Sequence, residues 1–261
     1  MKNVLTIAGS DCSGGAGIQA DIKTFSVHGC YGMSVITAVT AQNTCRVMSV
    51  ASMVVTMIHD QMDAIFEDID VHAVKVGMLS DATIMQAVAD KLVQYAPPLV
   101  VIDPVMIAKG GHALMQLDAL DTLRCEIIPR AYLLTPNIPE AATIVGRSIE
   151  SIGDMKSAAQ DIYKLGAKNV LVKGGHLVGD AVDILFNGVN FKTFTHQRID
   201  SKNTHGTGCT LSSAIAANLA NGLALAESVD TAKRYVTEAI KHTPNIGKGN
   251  GPLNHNWRVI S

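Results

Sequence analysis

Short apolar runs alternate with stretches whose apolar residues recur every three or four positions, almost from one end of the chain to the other. VLTIAG (4–9) predicts a first strand, after which Ile18, Ile22 and Phe25 share one helical face closed by Gly29. MSVITAV (33–39) predicts a second strand, and Ile58, Met62, Ile65 and Ile69 a second helix. VHAVKVG (71–77) leads into a helix bearing Ile84, Val88 and Leu92, with Pro97 beyond it. PLVVID (98–103), AYLLT (131–135) and NVLVKGG (169–175) are further strands, and a helix with Met155, Ala158, Ile162 and Leu165 lies between the last two. Runs that are apolar at successive positions bury both faces, and strands alternating with helices form βαβ units. The pattern predicts three layers, a mostly parallel central sheet flanked by helices.

One section breaks the rhythm. AVDILFNGVNFKTFTHQRI (181–199) carries two alternating strands around Asn187-Gly188, a hairpin signal. The chain then passes through NTHGTGCTLSSAIAANLA (203–220) and ends in a helix with Val229, Ala232, Val236, Ala239 and Ile240. No repeat or low-complexity linker divides it, so residues 1–261 are expected to form one α/β domain whose site lies in the loops at the C-terminal strand ends.

Composition narrows the function classes. An apolar fraction of 48% supports a substantial core, and a net charge of −2 without a basic run argues against nucleic acid as the partner. The N-terminal MKNVLTIAGSD reads as a first strand rather than a signal peptide, and no stretch reaches transmembrane length. Cysteines 12, 30, 45, 125 and 209 are odd in number and lack C-x-x-C spacing, which suggests neither a disulfide framework nor zinc and points to the reducing cytoplasm.

Candidate chemistry gathers at the predicted strand ends. GSDCSGGAGIQAD (9–21) is a glycine-rich loop opening a helix, although it is neither a Walker A loop nor a G-x-G-x-x-G fingerprint. Gln42 in TAQNT offers a donor and an acceptor suited to the edge of a heteroaromatic ring, and Met78 in VGMLSD is able to pack on such a ring. Asp103 in VIDPVM and Glu140 in LTPNIPEA are carboxylates of the kind that hold Mg²⁺, though Glu140 is read equally well as a helix N-terminal charge. Lys173 in VKGGH is a cation for polyphosphate. Gly206, Thr207 and Gly208 place backbone amides at a helix N-terminus, and Cys209 follows them, where the positive helix end should ease ionisation of its thiol. Taken singly, each also reads as a turn, a core residue or a surface charge.

Taken together and in order, TIAGSDCSGGAGIQADIKTF, VITAVTAQNT, VKVGM, IDPVM, LTPNIPEA, VLVKGGH and NTHGTGCTLSSAIAANLA resemble the hydroxymethylpyrimidine/phosphomethylpyrimidine kinases of thiamine biosynthesis, within the ribokinase-like superfamily. The resemblance extends through GNGPLNH (249–255). It implies a ribokinase-like fold, commonly a homodimer, that phosphorylates 4-amino-5-hydroxymethyl-2-methylpyrimidine with ATP and then converts the monophosphate to the diphosphate. By the same resemblance Gln42 bonds the aminopyrimidine, while Gly9, Ala16, Met78 and Val105 line its pocket. Asp103 and Glu140 lie near Mg²⁺ and Lys173 near the nucleotide phosphates, with the monovalent-ion requirement left open. Cys209 stands where most of the superfamily carries an aspartate base, and the amides of 206–208 bind the transferring phosphoryl group.

After DPVM these kinases usually carry a lid like AKSGDRLL; here it reads AKGGHALM (108–115), with His112 where an acid is common. Lys109, Gly111 and Leu114 match, and Gly110 and Gly111 suit a hinge. The main rival reading is a pyridoxal or pyridoxine kinase of the same fold, against which Gln42 counts because a pyridine lacks the exocyclic amine. A non-catalytic ligand sensor is a remote alternative that the intact set Asp103, Glu140, Lys173 and Cys209 disfavours.

Overall fold

The computed structural model describes residues 1–107, 111, 114–175, 181–196 and 198–258. Nine strands form one sheet: β1 (Lys2–Asp11), β2 (Cys30–Gln42), β3 (Val47–Ser52), β4 (Ala73–Val76), β5 (Val100–Ile102), β6 (Leu133–Leu134), β7 (Val170–Val172), β8 (Ala181–Phe186) and β9 (Phe191–His196). Their order is β3-β2-β1-β4-β5-β6-β7-β8-β9. From β2 across to β7 every neighbouring pair is parallel. Both margins are antiparallel, β3 on β2 at one side and β8 and β9 beyond β7 at the other. The sheet is therefore mixed, a refinement of the mostly parallel arrangement that the pattern predicts. The lid segment with Lys109, Gly110 and His112 falls largely outside the described residues.

The helices are α1 (Gly17–Val27), α2 (Val55–Phe66), α3 (Ala82–Tyr95), α4 (Ile138–Val145), α5 (Ile152–Lys164), α6 (Thr207–Ala220) and α7 (Leu225–Lys241), with short helical turns over 117–130. Successive strand residues feed two separate cores. Leu5, Val74, Val76, Val100, Ile102 and Val172 pack with Ile58 of α2, Val88 of α3 and Ile162 of α5. Their neighbours Val4, Ala73, Val101, Leu133 and Leu171 pack with Phe25 of α1, Ile215 of α6 and Val236 of α7. The period of two thus places alternate residues on opposite faces, and both faces are covered. Each fully buried Leu, Ile or Val in these layers stabilises the fold by roughly 1.5–3 kcal/mol.

Local chemistry fixes the ends of the elements. Asn187 in the β8–β9 turn accepts the Asn190 N–H at 2.7 Å, and Gly188 takes φ +87°, open to it without strain. Ser151 and Asp154 cap α5 reciprocally, and Asp81 accepts the Ile84 N–H at the start of α3. In β1 the ladder to β2 shifts register between Ala8 and Ser10, so Gly9 sits in an irregularity that bends the strand end.

Candidate active site

Three parallel strands deliver a charged cluster to their C-terminal ends. Asp103 follows β5 directly and is buried; its Oδ1 accepts the Lys173 ammonium at 2.6 Å and the Thr135 hydroxyl at 3.1 Å. Lys173 follows β7, fixed by its N–H to the Pro136 carbonyl at 2.8 Å. Glu140 lies in the first turn of α4, after β6, where Asn137 accepts its N–H and its own Oε2 accepts the Asn137 N–H at 2.8 Å. The capping reading of Glu140 is therefore correct, and it does not compete with the site reading, because the same carboxyl is buried beside Lys173 and Asp103. Burial, with Asp103 adding to it against the pull of Lys173, pushes the Glu140 carboxyl up to about 7. Burial disfavours the Lys173 ammonium, but the Asp103 and Glu140 carboxylates outweigh it and hold the group above its ordinary value.

The turn before α6 closes over this cluster. Gly206 caps the helix at φ +82°, and a Cβ on Gly208 would stand 3.0 Å from Asp103 Oδ2 and 3.4 Å from Lys173 Nζ. A side chain at this position would crowd the charged pair, and glycine lets the helix end come close to it. Thr207 turns its N–H onto the Thr204 carbonyl at 3.3 Å, and its hydroxyl donates to the same oxygen at 2.8 Å. Of the expected amide cradle of Gly206, Thr207 and Gly208, Thr207 is thus already committed, which leaves Gly206 and Gly208, with Cys209 after them, to face an anion.

Cys209 departs from expectation in its ionisation. Its thiol is half-buried and free. Burial pushes it up to about 11, against the pull of the Lys75 ammonium, with Asp21 and Asp103 adding to the rise. Desolvation wins over the positive helix end, so the resting group is a neutral thiol rather than the eased thiolate.

A second wall forms around β1 and β2. A Cβ on Gly9 would stand 2.5 Å from Met78 Cε, which brings those two predicted residues together. Ala16 caps α1 and donates its N–H to Asp11 at 2.8 Å. Gln42 ends β2 half-buried, and Cys12 reaches its carbonyl through Sγ at 3.2 Å. Val105 lies half-buried two residues beyond Asp103, its N–H turned back to the Asp103 carbonyl at 2.8 Å. Gly9, Ala16 and Met78 thus gather around the end of β1, and Val105 stands just beyond Asp103 of the charged cluster.

A sequence profile described as phosphomethylpyrimidine kinase matches residues 11–254. The chain belongs to this family. It is 52% identical over 97% of its length to the thiamine biosynthesis bifunctional protein ThiED of Geobacter sulfurreducens, of which it spans about half (52%). It is 48% identical to the hydroxymethylpyrimidine/phosphomethylpyrimidine kinase of Bacillus subtilis, covering 98% of this chain and 95% of that one. Its fold superposes on an ADP complex of Bacillus subtilis pyridoxal kinase with a TM-score of 0.93 at 37% identity, over the whole of both chains. The profile match takes in the last six of the motifs named above whole and the first from residue 11 onward.

Several residues inside the quoted motifs, not singled out above, are tied together by the fold. Asp11 accepts hydrogen bonds from the Ser13, Gly15 and Ala16 N–H groups and from His205, 194 residues away. Burial works to raise its carboxyl, but the bonds from His205, Ser13 and Gln42 outweigh this and hold it far below the usual carboxylate range. Lys75 and Asp21 form a fully buried ion pair at 2.8 Å, to which Thr6 and Ser213 donate their hydroxyls. A lysine inside the otherwise apolar strand AVKV was a readable signal for the second pair. Nothing local marks the first.

Proposed function

We propose that this protein transfers the γ-phosphoryl group of ATP to 4-amino-5-hydroxymethyl-2-methylpyrimidine, and then phosphorylates the monophosphate to the diphosphate. The reading is supported above all by the Gly208–Cys209 helix end lying against the Asp103–Lys173 pair, an arrangement suited to polyphosphate. Gln42 reads the aminopyrimidine edge, while Gly9, Ala16, Met78 and Val105 line the ring. Lys173 and the amides of Gly208 and Cys209 bind charge on the transferring group, the largest protein contribution in phosphoryl transfer.

The site suits Mg²⁺. Two buried carboxylates face one lysine, and the raised Glu140 carboxyl marks negative charge that a cation would balance. Among the described residues no cluster of three or more His, Cys, Asp or Glu offers a full protein cage, which suits a metal that shares its ligands with phosphates and water. Bound there, Mg²⁺ supplies neutralisation of phosphate charge; Asp103 and Glu140 would hold it.

The kinase is proposed to work in the cytoplasm, in keeping with five free cysteines, as a homodimer. The edge strand β3 leaves Met48 and Val50 exposed, and Val54 and Met57 beside it add further apolar surface. A second copy of the chain is the proposed cover. Light scattering is expected to give twice the mass of one chain; a monomer at micromolar concentration rejects the dimer.

The decisive assay offers the hydroxymethylpyrimidine and pyridoxal separately with Mg-ATP and resolves mono- from diphosphate. Diphosphate from the pyrimidine, with pyridoxal slower, is expected. In the same assay Gln42→Ala should weaken the pyrimidine about tenfold or more and ATP little. A higher kcat/KM for pyridoxal would favour the pyridoxal reading, which the close superposition on a pyridoxal kinase keeps in view.

A further inference from the structure

Asp11 and His205 bond neither Asp103 nor Lys173, yet they join the first glycine loop to the turn before α6, and Asp11 also takes a bond from Gln42. Asp11 ends β1 and is 2% exposed. Its Oδ1 accepts the Ser13 N–H at 2.8 Å and the Ser13 hydroxyl at 2.7 Å. Its Oδ2 accepts the N–H groups of Gly15 at 3.1 Å and Ala16 at 2.8 Å. A single carboxylate therefore shapes the whole 11–16 loop, including the Ala16 wall of the ring pocket.

The same Oδ2 pairs with His205 Nε2 at 2.9 Å, one residue before Gly206 and the anion-binding turn. Asp11 is ionised and accepts only, so Nε2 carries the proton. The contact is steric as well as polar. A Cβ on Gly15 would stand 2.5 Å from His205 Cδ2, and a Cβ on Gly206 would overlap the Gly15 carbonyl. His205 is also held from behind, its N–H donating to the Gly251 carbonyl at 3.1 Å while the Gly251 N–H donates to Asn203 at 3.1 Å. The ring is thereby fixed between the C-terminal segment on one side and the first loop on the other.

We propose that His205 and Asp11 form a latch that fixes the acceptor-pocket loop against the phosphoryl-binding turn, making His205 a positioning residue. The inference rests on the kinase reading above. Transfer rates depend steeply on the approach of the reacting atoms, and a misplacement of about 1 Å costs about 10²-fold. The latch bonds neither Lys173 nor Asp103, so its loss should spare nucleotide binding while separating the acceptor from the turn.

The test compares His205→Phe, which fills the space without the donor, with His205→Gln, which keeps an N–H donor at similar reach. Expected for His205→Phe is a fall in kcat of about 10²-fold with a raised pyrimidine KM and an ADP Kd within about twofold of wild type. His205→Gln should recover most of the loss. A His205→Phe enzyme within threefold of wild type, a parallel loss of ADP affinity, or failure of His205→Gln to rescue a folded protein overturns the latch.

Amide hydrogen exchange reads the latch without any turnover. The Ser13, Gly15 and Ala16 amides should exchange at least tenfold faster in His205→Phe, and nearer to wild type in His205→Gln. Unchanged exchange overturns the latch whatever the enzyme phosphorylates. Wild-type protein inactive on the pyrimidine, with exchange accelerated in the variant, would remove the kinase reading and leave the latch standing.

Discussion

At Cys209 two influences oppose each other: the positive end of α6 favours a thiolate, while desolvation of the sulfur favours the thiol. Burial prevails, and the thiol sits at about 11. A neutral sulfur is a poor resting base, which in the proposed transfer shifts weight onto the amides of the turn and onto Lys173. In a loose phosphoryl transfer there is little covalent chemistry for the protein to perform, so this division is workable. Cys209→Ala is therefore expected at the lower end of the range for a lost acid–base group, about 10²-fold in kcat with pyrimidine binding near wild type. In the ligand-free protein at pH 7, iodoacetamide should label the exposed Cys12, Cys45 and Cys125 well before Cys209. Early labelling of Cys209, mapped by mass spectrometry, would restore the thiolate. Glu140 carries a second pH signature. An acid raised from 4.5 to about 7 on folding stabilises the fold fully below its unfolded value, and that contribution is lost as pH rises through about 7. Glu140→Gln should therefore melt higher than wild type in the absence of ligand at pH 8, by roughly 5 °C, with the gap closing below pH 5. A gap equal at both pH values would reject the raised carboxyl.

At the scale of elements, alternation explains why a charge sits inside the sheet. In β4, Val74 and Val76 face the α2–α3 side, which leaves Lys75 with Ala73 on the side of α1 and α6. There Asp21 of α1 receives its ammonium, joined by Ser213 of α6. Burial alone would favour the neutral lysine; the Asp21 charge outweighs it and holds the group well above its ordinary value. Asp21→Ala strands that ammonium and should cost about 3–5 kcal/mol in urea unfolding, whereas Asp21→Leu with Lys75→Met should cost far less. A loss below about 1 kcal/mol for Asp21→Ala would mean that the ammonium finds another partner. The double-faced strands are legible in the sequence because an unbroken apolar run leaves few other readings. β3 is not legible: five of its six positions are exposed and its two serines, Ser49 and Ser52, lie three apart rather than two, so its ladder to β2 makes it a strand. The predicted site residues Asp103, Glu140 and Lys173 are legible as strand-end charges. The Asp11–His205 pair is hidden, because a contact across 194 residues has no local period.

At the scale of the molecule, the chain leaves β1 for β2 on one side and reaches β4 on the other, so the strand order reverses beside β1. Ligands of open α/β sheets gather at such a point because adjacent loops diverge there. Behind it, two sealed cores hold the strands, and their side chains take no part in recognition. That separation has a consequence for change over time. On the proposed function, specificity for the acceptor is written in a few side chains beyond the strand ends, such as Gln42 and Met78, while the frame carrying them is indifferent to which ring is bound. A frame of this kind lets one vitamin precursor be exchanged for another by editing its rim, and the 0.93 superposition on a pyridoxal kinase at 37% identity is what such a history would leave.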